Sequence, residues 1–322
     1  MPMFDHQPPF AGLIPDNIDL SDYMEPEQSH AVRPAHYFAD KAIDILAGRN
    51  TAKGLPLPWS KAADKFAFRP GELTVWTGYK AHGKSMLLSQ VLLHAMTKGE
   101  RVFILSPEFR PEGILTRKIR QAATNAHPPE AFARRFLEWA GNDRLWLFDH
   151  QGSLTPDTVT GVIRYAVDQH AVNHVLVDSL MKCGIAPDDY TRQKKLVDDL
   201  QTIAHQTGAH LHLVAHARKG ESDDKPARLH DVKGTSELCD MAENVLSVWK
   251  NKRKLDAQSN GNTKHDDEPD ALLTVDSQRN GDGWTGSIRL WFHPASFQFL
   301  GEANHQPNPW HDAGSDDDKV EF

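Results

Sequence analysis

The sequence has no long hydrophobic run and only two cysteines. None of its apolar stretches approaches the ~18 residues of a membrane-spanning helix, and its N-terminus lacks the basic and apolar regions of a secretory signal. Cys183 and Cys239 form no C-x-x-C cluster, which argues against a structural zinc site and for a reducing compartment. We therefore expect a cytoplasmic protein that has no contact with a membrane.

Basic residues are scarce at both ends of the chain. Residues 1–30 contain six acids and no Lys or Arg, and residues 302–322 have a net charge of −5. Because the whole chain carries −8, the remainder is mildly basic at +3. This distribution permits a local basic channel for nucleic acid. The polar, proline-studded residues 1–34 and the tail 302–322 are predicted to be flexible acidic segments.

One stretch matches the pattern G-x-x-x-x-G-K-[ST], a phosphate-binding loop. It consists of Gly78, Tyr79, Lys80, Ala81, His82, Gly83, Lys84 and Ser85. Glycines allow backbone N–H groups to cradle phosphate oxygens, the lysine faces the β- and γ-phosphates, and the serine hydroxyl binds Mg²⁺. An apolar strand is predicted before the loop, over 73–77, and an apolar helix after it, over 85–97. The stretch therefore predicts a site for ATP, or another nucleoside triphosphate, with Mg²⁺.

Strand and helix patterns alternate after the loop, which predicts an α/β fold with a mainly parallel central sheet and helices on both faces. The last two strands, near 287–292 and 297–300, are predicted to be antiparallel additions. The hydrophilic stretch 251–270 is predicted to be a mobile insertion. The predicted organisation is a disordered N-terminal segment at 1–34, a linker helix and connector at 35–55, a nucleotide-binding domain at 56–301 and an acidic tail at 302–322.

Four polar residues follow predicted strands, and three of these strands belong to the parallel part of the sheet. Asp178 closes an apolar strand and is a candidate to hold Mg²⁺ together with Ser85. Glu108 is placed to act on the water that attacks the γ-phosphate, and His216 to hydrogen-bond that phosphate. Arg279 follows a later strand near a turn, where position alone favours a solvated arginine.

The combination of motifs resembles the RecA-like ATPase domain of hexameric replicative DNA helicases, the DnaB superfamily. The resemblance covers roughly 56–300. Histidine at position 216 favours the phage-type, Twinkle-like branch. The motifs are Arg69-Pro70-Gly71-Glu72-Leu73-Thr74-Val75, Ser106-Pro107-Glu108-Phe109, Val177-Asp178, His216, Asp231-Val232-Lys233-Gly234-Thr235-Ser236, Cys239-Asp240-Met241-Ala242-Glu243-Asn244 and Gln278-Arg279-Asn280-Gly281.

This resemblance implies a ring of six subunits with ATP at the subunit interfaces. It makes Glu108 the catalytic base, His216 the γ-phosphate sensor and Arg279 an arginine finger that acts on the neighbouring subunit. The linker helix would dock on an adjacent subunit. The loop around 218–236 would line a central channel and hold the backbone of single-stranded DNA. Its predicted DNA-binding residues are Arg218, Lys219, Arg228, Lys233 and Gly234.

Two features depart from the family pattern. The family usually has a lysine two residues before the arginine finger, where this chain has Ser277. The chain also lacks a primase part, so any priming would come from another protein.

The tail ends in an acidic run followed by Phe322, similar to the tails of phage replicative helicases and of bacterial single-strand-binding proteins. It is predicted to dock on a replisome protein such as a polymerase, primase or loader. A merely solubilising tail is the alternative. The resemblance places the protein in the bacterial cytoplasm, or in the host cytoplasm if a phage encodes it.

Our first hypothesis is an ATP-driven hexameric helicase that translocates on single-stranded DNA, 5′ to 3′, and unwinds duplex. A DNA-dependent ATPase of the RecA recombinase type is the second. The third is a nucleotide-switched loader or scaffold with little turnover, which the serine at position 277 keeps open.

Overall fold

A computed structural model describes the chain at residues 12–24, 34–47, 54–150, 152–216, 226, 236–281 and 283–310. Twelve strands and eight α-helices are present in this part of the chain. The strands are β1 Leu13–Pro15, β2 Leu55–Pro56, β3 Ala67–Phe68, β4 Leu73–Thr77, β5 Val102–Leu105, β6 Leu145–Asp149, β7 His174–Val177, β8 His210–Val214, β9 Asn244–Lys250, β10 Ala271–Gln278, β11 Gly286–His293 and β12 Gln298–Leu300. The helices are α1 Ala39–Leu46, α2 Lys84–Thr97, α3 Pro111–Ala123, α4 Glu130–Gly141, α5 Pro156–His170, α6 Tyr190–Thr207, α7 Ser236–Met241 and α8 Lys252–Ser259.

Ten strands form one sheet in the order β1-β6-β5-β7-β8-β4-β9-β10-β11-β12. The first seven in this order are parallel, and the last three are added antiparallel. The mainly parallel sheet and its antiparallel end confirm the predicted fold class. The carboxyl ends of β4, β5, β7 and β8 meet at one edge, which is where open α/β sheets bind ligands.

Helices cover both faces of the sheet. Helices α2, α3 and α4 bury their apolar residues against one face, and α5 and α6 cover the other. Strand β4 is buried along its whole length, because neighbouring strands flank it on both edges and helices cover both faces. No described helix combines the length and the apolar character that crossing a bilayer requires.

The N-terminal segment contributes an edge strand that sequence analysis did not predict. Strand β1 pairs in parallel with β6, and Ile14 is buried in the core. Beyond it, the hydroxyl of Tyr23 donates a hydrogen bond of 2.9 Å to Asp168 on α5. Strand β1 has only three residues, too few to show a period of two, and its order comes from tertiary packing on a ready-made sheet edge.

The insertion 251–270, predicted to be mobile, contains α8. The side chain of Asn251 accepts the Lys254 N–H at the start of this helix, and its amide donates to Glu268 at 2.8 Å. Lys254 also pairs with Asp270 at 2.9 Å. These polar contacts stabilise the segment 251–270, which has too few apolar residues for its helix to be predicted from sequence.

Candidate nucleotide-binding site

The phosphate loop connects β4 to α2 in a tight turn. Gly78 and Gly83 have φ angles of 135° and 89°, and Ala81 also has a positive φ, of 65°. A Cβ atom on Gly78 would lie 2.3 Å from the carbonyl oxygen of Val248 on β9, so only glycine fits there. Helix α2 begins at Lys84, which places its N-terminal N–H groups beside the loop.

Two loop side chains face the protein rather than the ligand side. His82 is almost fully buried, and its Nδ1 accepts the backbone N–H of Lys250 at 3.1 Å. Its ring packs edge to face on Tyr79, with ring centroids 5.2 Å apart. Among the predicted cofactor-binding residues, Tyr79 and His82 therefore fix the loop against β9, while Lys80 and Ala81 are exposed.

Lys84 folds back onto its own loop. Its ammonium donates hydrogen bonds to the carbonyls of Gly78 (2.7 Å) and Tyr79 (2.9 Å). Burial lowers the pKa of Lys84 to about 8, against the opposing effect of the Asp178 and Glu108 carboxylates. The ammonium is thus held at the loop by neutral acceptors that an anionic phosphate could replace.

Ser85 and Asp178 form the pair predicted to hold a metal ion. The Ser85 hydroxyl hydrogen-bonds to the carboxyl group of Asp178, which is nearly fully buried. Burial raises the pKa of Asp178, and the Ser85 hydrogen bond and the Lys84 charge oppose that rise. The buried hydroxyl of Ser106 lines the same cavity and has no hydrogen-bond partner.

This donor set fits Mg²⁺. Magnesium in nucleotide sites binds one or two carboxylate or hydroxyl oxygens of the protein and keeps several waters and phosphate oxygens. Asp178 and Ser85 can supply the protein oxygens, and Ser106 can hold a water. The described residues contain no cluster of three or more His, Cys, Asp or Glu that could bind a metal without such help.

Glu108 stands between two polar neighbours at the carboxyl ends of β7 and β8. Its Oε1 accepts a hydrogen bond of 2.6 Å from Ser179, and His216 Nε2 lies 3.9 Å from the same oxygen. The imidazole of His216, the Ser179 hydroxyl and the ammonium of Lys182 together hold the pKa of Glu108 at about 2. The carboxylate is therefore ionised at neutral pH.

His216 has an unused polar atom. Its Nδ1 is buried and makes no hydrogen bond, while the side chain as a whole remains partly exposed. The structure thus brings Lys84, Ser85, Asp178, Glu108 and His216 together at the carboxyl edge of the sheet. All five were singled out from the sequence.

Arg279 lies at the opposite edge of the sheet. Its backbone N–H donates to the carbonyl of Glu243 (2.9 Å), which immediately precedes β9. Asn244 at the start of β9 pairs with Thr74 at the start of β4, whereas the phosphate loop follows the other end of β4. Five residues of extended strand span about 16 Å. Arg279 is exposed and cannot reach its own chain's phosphate loop.

Two neighbours of the site were missed by sequence analysis. Ser179 contacts Glu108, as described above. Arg117 on α3 donates to the carbonyl of Ser85 at 3.2 Å and covers the ring of Phe109. Arg117 follows the buried Ile114 by three residues, and this spacing indicates only that it lies on the core-facing side of the helix, not that it lies near the phosphate loop.

The remaining predicted residues lie outside the described part of the chain. They are the DNA-binding candidates Arg218, Lys219, Arg228, Lys233 and Gly234, and the terminal Phe322.

Comparisons with known proteins identify the family and the fold. The family described as "AAA domain" matches residues 57–222. One solved structure, described as an ATPase domain, aligns with a TM-score of 0.68 and 15% identity, over 82% of this chain and 97% of that one. A DnaB-like replicative helicase, described with its interactions with primase, aligns with a TM-score of 0.67 and 14% identity, over 84% of this chain and 67% of that one. The chain belongs to the AAA domain family, and it has the RecA-like ATPase fold that these two solved structures share.

Proposed function

We propose that this protein is an ATP-driven helicase whose subunits share nucleotide sites around a hexameric ring on single-stranded DNA. The observation that carries the proposal is the position of Arg279. In one chain the phosphate loop, the metal-binding residues Ser85 and Asp178, and Glu108 and His216 lie at the carboxyl ends of the parallel strands. The exposed Arg279 lies at the opposite ends of the strands. Because Arg279 cannot reach the nucleotide site of its own chain, it can act as an arginine finger only on the site of a neighbouring subunit.

The residues of one chain divide the work of hydrolysis. The backbone of the loop and Lys84 hold the phosphates, and Ser85 and Asp178 hold Mg²⁺, which neutralises charge on the phosphate oxygens. Glu108 orients the attacking water. Because its pKa is about 2, it acts more by position than as a strong proton acceptor.

The neighbour completes the site with Arg279, whose guanidinium stabilises charge that develops on the γ-phosphate. Fingers of this kind contribute ~10³–10⁵ in rate. His216, with its free Nδ1, senses the γ-phosphate and passes its loss to the residues that follow β8. Those residues, 218–236, hold the DNA backbone through Arg218, Lys219, Arg228, Lys233 and Gly234, and translocation runs 5′ to 3′.

The acidic tail ending in Phe322 docks on a replisome protein. A related fold has been described with primase, which makes a primase one candidate partner. The apolar side chains exposed on α1, Ile43 and Leu46, fit the proposed docking of the linker helix on an adjacent subunit.

Mixed rings test the shared site directly. Lys84→Ala removes the site of a subunit but leaves its finger, and Arg279→Ala removes the finger but leaves the site. Each variant alone should lose DNA-stimulated ATPase and duplex unwinding, and the mixture should recover part of both. Full turnover by Arg279→Ala alone, or by a protein that stays monomeric with nucleotide and oligonucleotide, would falsify the proposal.

A loader or scaffold with little turnover is the second candidate, favoured by Ser277 in place of a second basic residue near the finger. Single-turnover ATPase measurements with and without single-stranded DNA separate the two. A motor hydrolyses ATP within one binding event when DNA is present, whereas a scaffold does not.

A further inference from the structure

Strand β10 changes its side-chain alternation just before Arg279. Ala271, Leu273 and Val275 are buried, but the next buried residue is Gln278. The pairing of β10 with β9 shifts register between Val275 and Ser277, as in a β-bulge. Without the extra residue, the period of two would turn Arg279 toward the core. The bulge therefore turns the arginine outward.

The residue after Arg279 is tied to a buried carboxyl group. The amide of Asn280 donates a hydrogen bond of 2.8 Å to Oε1 of Glu72, which is nearly fully buried. The other oxygen, Oε2, accepts from Asn244 at 2.9 Å. Glu72, the residue before β4, thus connects this strand to the start of β9 and to the turn after β10.

A second set of contacts holds the same turn. The guanidinium of Arg69 lies 3.9 Å from Glu72 Oε1. A Cβ atom on Gly281 would lie only 2.1 Å from a nitrogen of that guanidinium, so the turn packs tightly on it. Arg279 itself donates through Nη1 to the carbonyl of Met241 at 3.4 Å. The backbone around Arg279 is fixed, while its side chain is held weakly.

We propose that Glu72 and Asn280 are positioning residues that present Arg279 to the nucleotide of the neighbouring subunit, an inference that rests on the proposed function. They do not touch the nucleotide. Their hydrogen bond fixes the turn that contains Arg279 to the start of β4, the strand that leads into the chain's own phosphate loop. A misplacement of about 1 Å at a reacting group can cost ~10²-fold in rate, so this bond matters for turnover.

Asn280→Asp is the first test. It keeps the size of the side chain but places a second carboxylate against Glu72, so the turn is pushed away and ATPase kcat falls ~10²-fold, with KM for ATP unchanged. Glu72→Gln alone should be tolerated, because the amide of Asn280 can turn over and accept from the introduced amide.

The double variant Glu72→Gln with Asn280→Asp separates a direct contact from general damage. The introduced amide nitrogen donates to the introduced carboxylate, and the amide oxygen still accepts from Asn244. Turnover should return to within about threefold of wild type. Asn304→Ala, on an exposed residue, is the matched control and should leave kcat unchanged.

Mixed rings show whether Asn280→Asp damages the nucleotide site of a subunit or its arginine finger. In a mixture with Lys84→Ala, Asn280→Asp keeps an intact site and can use the finger of its partner, so ATPase recovers as it does for Arg279→Ala with Lys84→Ala. If the Arg279→Ala mixture recovers but the Asn280→Asp mixture does not, or if the double variant stays inactive, the positioning inference is wrong. If even the Arg279→Ala mixture fails, the shared-site function is wrong and the inference falls with it.

Discussion

The hydroxyl of Ser179 donates a hydrogen bond of 2.6 Å to Oε1 of Glu108, across 71 residues of sequence. The contact exists because β5 and β7 are neighbours in the sheet, so the residues that follow the two strands emerge side by side. Ser179 is completely buried. It therefore holds the carboxylate of Glu108 from a rigid position.

Ser179→Ala should reduce ATPase kcat about tenfold while KM for ATP stays the same, because a freed carboxylate orients water less well. The loss of the donor raises the pKa of Glu108 from about 2 toward its ordinary value of 4.5. The group remains ionised at pH 7 in both proteins, so activity lost at pH 7 reports position and not protonation.

Steady-state kinetics at pH 7 provide the measurement, with Ser153→Ala on an exposed serine as control. A kcat within twofold of wild type, or a rise in KM with kcat unchanged, would show that Ser179 does not position Glu108.

The candidate site was largely predictable because its residues follow a local rule. Asp178, Glu108 and His216 each come directly or closely after a buried apolar strand, and parallel strands bring their carboxyl ends to one edge. Their mutual contacts were not predictable. The Ser179–Glu108 bond depends on strand order, which spacing along the chain does not encode.

The missed elements share a different physical cause. Strand β1 and helix α8 have little apolar periodicity of their own, and each is ordered by a partner that is distant in sequence or polar. Strand β1 uses the free edge of β6, and α8 uses Asn251, Glu268 and Asp270. Propensity and periodicity describe a segment alone, so they miss elements that tertiary contacts stabilise.

ATP affinity should fall as the pH rises above 8. Burial holds the pKa of Lys84 at about 8 in the free protein, so the ammonium is charged below this pH and largely neutral above it. Bound phosphates favour the charged form and raise the pKa, so binding above pH 8 takes up a proton. Linkage then weakens affinity by up to about tenfold per pH unit.

Dissociation constants for ATP at pH 7 and pH 9 give the measurement. Lys84→Arg is the matched variant, since its guanidinium stays charged throughout this range. Its affinity is lower overall but should change little between the two pH values. An equal pH dependence in both proteins would assign the effect to another group.

Lys118→Met should stabilise the protein, and more so at low pH. Lys118 is completely buried, donates to the carbonyl of Ser89 (3.2 Å) and lies beside the positive charge of Arg117. Burial, with a contribution from Arg117, lowers its pKa from 10.5 to about 7. Each unit of that shift corresponds to about 1.4 kcal/mol, so charging this lysine costs several kcal/mol.

The sign of the pH effect follows from the two pKa values. Between pH 7 and 10.5 the unfolded chain keeps a proton that the folded protein has released, so stability rises with pH in this window. Below pH 7 the whole cost is present. The gain from Lys118→Met is therefore largest at pH 6 and shrinks by up to about 1.4 kcal/mol per unit above pH 7.

Urea unfolding at pH 6 and pH 9 measures this gain, with Lys98→Met on an exposed lysine as control. Methionine matches the length of the lysine stem, so little repacking is needed. A destabilised Lys118→Met variant at pH 6 would mean that the ammonium has a stronger partner than the Ser89 carbonyl.

The C-terminal segment should stabilise the fold up to Trp310 and serve a partner beyond it. The ring of Trp310 packs among Phe132, Phe136 and Trp139, with centroid distances of 5.7, 5.5 and 5.1 Å. Its backbone N–H donates to the carbonyl of Ala122 at 2.8 Å. Loss of a buried tryptophan costs about 3 kcal/mol or more.

A chain that ends after Trp310 should keep the wild-type unfolding midpoint and ATPase rate but lose the proposed tail partner. A chain that ends one residue earlier, or Trp310→Ala in the full chain, should unfold at clearly lower denaturant concentration. The pair differs by a single residue, so the difference in midpoint isolates the anchor from the acidic run. Equal midpoints would show that the packing of Trp310 against the three aromatic rings contributes nothing to stability. If instead the chain that ends after Trp310 were itself less stable than wild type, residues 311–322 would have a structural role that competes with the proposed docking of Phe322.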